Sequence, residues 1–248
     1  MSAWAQIGWT LSLLVVVGCS DDTTSNGDGG KDIGGLDAVH EGVLKDMPVT
    51  DSTGPDQGGI SKTLTAIRDT DIVEGNCNED RSALTEPGIG LRNPGNCSAT
   101  SGSKYHYLVK FDASSIPSTA SVSSAVLKLQ YTKDECGPPA KISAHAMLVD
   151  WAEMATWCDA NPTTSTTWAQ QGTGTGDRDV AAAATVVVPA QPGEIALDLT
   201  SLGASWVSSG GSNHGVVIIA ETTATPKLIR IGSRENAGKE PKLVVTYK

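Results

Sequence analysis

From Lys62 onward the chain is a succession of short runs in which apolar residues recur at every second position, separated by Gly, Pro, Asn, Asp and Ser. That period belongs to a strand, whose successive side chains point to opposite faces; a helix would need apolar residues every three or four positions. In residues 105–111, Tyr105, Tyr107, Val109 and Phe111 share one face, and His106, Leu108 and Lys110 share the other. Residues 125–131 turn Leu127, Leu129 and Tyr131 one way, with Lys128 and Gln130 the other, and residues 141–148, 194–200 and 242–247 repeat the pattern. Residues 215–220 are continuously apolar, as in a central strand covered on both faces. Shorter candidates lie at 65–68, 88–92, 185–188 and 228–231. The one helical signal is Thr200 as an N-cap ahead of Leu202, Trp206 and Val207, enough for a turn or two with Trp206 inward. An all-β fold follows, an antiparallel jelly-roll β-sandwich of about eight to ten strands.

The residues ahead of these runs behave differently. Residues 20–60 hold nine carboxylates and two lysines, which accounts for −7 of the chain's net −10. With nine glycines and no period that could bury a face, this stretch is predicted to be a disordered, self-repelling tether. An Asp-Gly mixture around Asp28 and Asp32 lacks the alternating ligands and closing Glu of a calcium loop. Earlier still, an apolar run ends in Val16-Val17-Gly18-Cys19, the apolar-small-small-Cys order of a lipoprotein cleavage site, although no Lys or Arg precedes it. The expected organisation is a signal peptide at 1–18, a lipidated Cys19 opening a linker at 19–61, and one domain at 62–248. Contact with a membrane would then run through the lipid alone. Ser20 lacks the acidic character that, by resemblance to bacterial lipoproteins, retains a chain at the inner membrane, so the outer membrane or cell surface is expected. The acidity excludes a general basic surface for nucleic acid.

Cys77, Cys97, Cys136 and Cys158 form an even set in a chain destined for an oxidising compartment, so two disulfides are expected. Three connectivities are possible, and proximity in sequence favours Cys77 with Cys97 and Cys136 with Cys158. A zinc site is disfavoured because no C-x₂-C pair occurs.

Five segments occur in a recognisable order: TAIRDTDI, YLVKFDASSIPSTASVSSAVLKLQY, DWAEMATWCDANP followed by TTW and GTGDRD, LDLTSLGASWVSSGGSNHGVVIIAE, and IRIGSRENAGKEPKLVVTYK. Over residues 62–248 the chain resembles the DNRLRE domain, also described as carbohydrate-binding module family 96. The resemblance implies a jelly-roll module of a secreted or surface protein that binds polysaccharide, alginate included. The cysteine-bearing stretch between Asp71 and Tyr105 is atypical, and no catalytic domain accompanies the module in this chain.

Candidate binding residues follow from chemistry. Trp151 and Trp157 are expected in the core, whereas Trp168, set among Thr, Gln and Gly, is the candidate exposed platform for a sugar ring. Arg234 and Glu235 of IGSREN could anchor a loop or bind a uronate carboxylate and sugar hydroxyls. Lys104, His106, Lys110 and Lys128 could form a cationic face for an acidic polysaccharide. Asp69 and Asp71 of RDTD, with Asp177 and Asp179 of GTGDRD, supply oxygen ligands for a structural calcium ion; no other cofactor is indicated. No G-x-S-x-G, H-E-x-x-H, P-loop or G-x-G-x-x-G is present, so no enzyme is expected. The leading expectation is a monomeric, non-catalytic, surface-anchored polysaccharide binder. Its rivals are a structural or adhesive surface domain with protein partners and, behind that, a polysaccharide lyase or glycoside hydrolase.

Overall fold

The computed structural model describes residues 59–209, 212–221 and 224–248, all within one compact unit. The expected signal peptide, Cys19 and all but the end of the linker lie outside the described residues.

Among the described residues twelve strands are present: β1 (Ile60–Val73), β2 (Gly88–Arg92), β3 (Ser103–Phe111), β4 (Val122–Glu135), β5 (Lys141–Ala146), β6 (Asp159–Asn161), β7 (Thr166–Thr167), β8 (Ala184–Val187), β9 (Gly193–Asp198), β10 (Val216–Ala220), β11 (Lys227–Ile231) and β12 (Lys242–Tyr247). Ten of them form one antiparallel ladder, and β6 with β7 forms a separate hairpin. The ladder folds into a sandwich because its two longest strands each change partner along one edge, while β9 pairs with the other edge of β4. The first half of β1 pairs with β12 and the second half with β3, with a register shift between Ala66 and Arg68. The first half of β4 pairs with β12 and its far end with β11. The circuit β1-β12-β4-β11-β2-β3 closes through the β1–β3 pairing, and β10, β5 and β8 extend outward from β3.

Alternation along the strands fills the space between the sheets with Leu64, Tyr107, Phe111, Leu127, Tyr131, Ile229 and Leu243. The single α-helix among the described residues, α1 (Thr200–Ser209), adds Trp206 and Val207 to that core. It runs longer than the one or two turns expected, and Asp198 Oδ1 accepts the Thr200 N–H at 2.9 Å. Gly203 lets the helix sit directly on β4, since a Cβ there would lie 2.4 Å from that of Ala125.

One sheet is apolar on both faces. Leu108 of β3, Val217 of β10 and Ile72 of β1 point away from the main core and are roofed by Met147, Trp151, Trp157 and Trp168. The continuous apolar run of β10 reflects this double cover: Val216 and Ile218 face the main core, and Val217 faces the roof.

Both disulfides join segments remote in sequence, Cys77–Cys158 across 81 positions and Cys97–Cys136 across 39. This corrects the sequential pairing of Cys77 with Cys97 and Cys136 with Cys158. The ladder itself brings the ends together, because β11 lies between β2 and the far end of β4. The roof is drawn to the segment after β1, where the Trp157 N–H donates to the Asn76 carbonyl at 3.2 Å. Peptide mapping without reduction is expected to recover Cys77–Cys158 and Cys97–Cys136 cross-linked fragments. Paired replacement of Cys77 and Cys158 by Ser is expected to cost about 2–4 kcal/mol of stability in denaturant titrations.

Candidate functional site

Every aromatic side chain among the described residues is buried: Trp151, Trp157, Trp168, Trp206, all four tyrosines and Phe111. Trp168, the expected exposed platform, is 4% exposed, and its indole N–H donates to the Thr156 carbonyl at 2.8 Å. The polar residues that framed it in the sequence, Thr166 and Thr167 of β7, face solvent while the ring turns into the roof. Stacking of a sugar ring on an exposed aromatic is therefore not available to the described residues.

The four basic candidates do not make one face. Lys104 pairs with Glu74 at 3.3 Å and Lys110 with Asp150 at 2.7 Å. Lys128 pairs with Glu194 at 3.0 Å on β4, which β1 and β12 separate from β3. His106 lies under the roof, 5.0 Å from Trp157 between ring centres, with Nδ1 bonded to the Gly172 carbonyl at 2.9 Å. Burial pushes its pKa down to about 4, and Arg178 and Lys104 add to the fall. The unfolded chain takes up a proton near pH 6.5 and the folded one does not, so stability is full above that pH and falls as the medium is acidified towards 4. The expected penalty is on the order of 3 kcal/mol. Thermal melts at pH 7 and pH 4.5 are expected to differ less for His106→Gln than for the parent chain, and equal differences would place the imidazole in solvent.

A different set of charged residues does converge, at the point where β1 leaves β12 for β3. Asp150 accepts from Lys110 and, at 3.4 Å, from Arg68, which also donates to the Trp151 carbonyl. Arg234 pairs with Glu153 at 3.0 Å and with Glu235 at 3.1 Å. Its backbone N–H donates to Asp69 Oδ2 at 2.8 Å, an oxygen that also accepts the Tyr107 hydroxyl at 2.6 Å. Glu153 Oε1 in turn accepts the Asp69 N–H at 3.3 Å. Arg68, Asp150 and Arg234 keep 35%, 54% and 40% of their side-chain surface exposed, so the assembly presents donors and acceptors to solvent over a buried base. Although burial opposes it, Lys110 and Arg68 hold the Asp150 carboxyl below its ordinary range. Burial pushes Asp69 up to about 6, against its two donors and with Glu235 and Glu153 adding to the rise.

The four aspartates expected to hold calcium are not gathered into one site. Asp71 is fully buried and binds Arg81 through both oxygens, at 2.6 and 3.2 Å, while also accepting the Gly88 N–H. Asp177 accepts the N–H groups of Ala169 and Gln170, and Asp179 is exposed. Of the four, Asp69 alone joins a potential ligand group, and its companions are Glu153 and Glu235. The sequence reading singled out Arg234, Glu235, Lys110 and Asp69 but missed Arg68, Tyr107, Asp150 and Glu153. Their contacts within the assembly span separations of 38 to 84 positions, and no local pattern announces them.

The sequence model of carbohydrate-binding module family 96 matches residues 63–247. No curated protein matches the chain.

Proposed function

Because the chain belongs to carbohydrate-binding module family 96 and carries a β-sandwich module for carbohydrate over residues 63–247, we propose that it is a non-catalytic polysaccharide binder held at the cell surface by a lipid on Cys19. The family match is the observation that carries this reading. The assembly at the β1 crossover is the binding surface we assign to it, with Arg68, Asp150 and Arg234 as its exposed polar groups and Lys110 largely buried beneath Asp150. Arg68 uses Nη1 for Asp150 and Trp151, which leaves Nε–H and the Nη2 donors for a ligand. A guanidinium in that state can take a uronate carboxylate through two parallel bonds or bridge neighbouring hydroxyls. With no aromatic platform among the described residues, recognition rests on hydrogen bonds and charge. An acidic polysaccharide fits that chemistry better than a neutral one, and its binding weakens with salt.

Affinity electrophoresis is expected to show the protein retarded by alginate or pectate more than by xylan, and less so at high ionic strength. Arg68→Ala is expected to weaken retardation about tenfold, or about 1.4 kcal/mol, with no release of reducing or unsaturated ends by either protein. A folded chain that moves freely through every polysaccharide tested would defeat the assignment, and new chain ends would make it an enzyme.

The lipid anchor rests on the order Val16-Val17-Gly18-Cys19. Labelled palmitate is expected to enter the chain expressed in a bacterial host and to be lost in Cys19→Ala.

A further inference from the structure

We propose that Asp69, Glu153 and Glu235 hold a divalent cation, calcium, at the β1 crossover. Each of the three offers a carboxylate oxygen within 4.8 Å of the other two. Oxygens that share one calcium ion at about 2.3–2.6 Å lie no more than about 5 Å apart, so the spacing fits a common ion.

A cluster of carboxylates is common without an ion, and a second observation makes this one different. Asp69 is 1% exposed, and its Oδ1 is buried without any hydrogen-bond partner, while Oδ2 is fully engaged by the Tyr107 hydroxyl and the Arg234 N–H. Those two donors fix the carboxylate and stabilise its ionised form, yet leave one anionic oxygen desolvated and unmatched. A buried acceptor left in that state costs free energy that native structures recover with a ligand.

The charge balance points the same way. Three carboxylates meet one guanidinium, Arg234, which bonds Glu153 and Glu235 through their Oε1 atoms. The remainder of −2 is the charge a divalent ion cancels. Arg68 makes no hydrogen bond to the three carboxylates: its Nη1 bonds Asp150 and the Trp151 carbonyl. Calcium accepts carboxylates with water completing six to eight ligands, whereas magnesium demands a near-ideal octahedron that three clustered carboxylates beside a guanidinium do not offer.

The site is independent of any polysaccharide, so its test uses none. The full chain, stripped with chelator, is titrated with calcium chloride by calorimetry and then melted with and without the ion. One saturable site per chain and a higher melting temperature with calcium are expected. Asp69→Asn is expected to weaken binding at least tenfold, and Glu235→Gln, a change at a partly exposed position, provides a second reading if the first variant folds poorly. Asp179→Asn, outside the cluster, is expected to titrate like the parent. The proposal is overturned if the folded parent binds no calcium at millimolar concentration, if it prefers magnesium, or if both cluster variants bind as tightly as the parent.

Discussion

The change of partner within β1 is the constraint on which the rest of this structure depends. A fourteen-residue strand is too long for one sheet of a small sandwich, and it can serve both only by breaking register. The change of partner falls between Thr65 and Ala66, and the register breaks at Ile67, one residue into the segment paired with β3. A residue at such an irregularity loses its ladder partner, and its peptide groups must be satisfied elsewhere. Arg234 Nη1 takes the Ile67 carbonyl at 3.2 Å, and Glu153 takes the N–H of Asp69 two residues on. The charged assembly is thus first a clasp across the crossover. That a cluster serving the backbone also faces solvent makes it a rigid place to present donors to a ligand.

The strand pattern was legible because it is a local property. Residues 88–92 match β2 and residues 228–231 fall within β11, and the apolar run at 215–220 was correctly taken as a strand covered on both faces. What was illegible is what covers the outer face of β3. His106, Leu108 and Lys110 look like a solvated edge in sequence, yet Leu108 is completely buried and His106 sits beneath Trp157. The cover comes from residues 147–168, some forty positions later, and no period within β3 registers its arrival. The same distance defeats the disulfide pairing, because proximity in sequence says nothing about which strands the ladder will interpose.

The site was legible in part, and the division has a physical basis. The Arg234–Glu235 pair stands out as adjacent charges ahead of the last strand, and Asp69 as an oxygen ligand for calcium. Asp71 stood out for the same reason but meets Arg81 in a buried pair, and the cation also stacks 5.7 Å from the Tyr105 ring. Loop aspartates therefore carry the same signature whether they await a metal, cap a turn as Asp177 does, or hold an arginine. Only their partners distinguish these cases.

The burial of every described aromatic also bears on how tightly a polysaccharide can be held. Each exposed cation at the crossover already has a carboxylate partner, so on the proposed reading a uronate meets a paired cation rather than a free charge. Exposed pairs of this kind contribute about 0–1 kcal/mol, so exchanging one for a sugar carboxylate is nearly neutral in energy. The gain then comes from donors left unfilled, chiefly those of Arg68, and from the number of subsites a polymer offers in succession. On the proposed reading, such a surface would bind a repeating acidic chain by recapture along its length and would discriminate poorly for a lone monosaccharide. The proposed preference for polymer over monomer would follow from the same fact that removes the aromatic platform: the tryptophans are occupied in roofing the sheet on which the crossover is built.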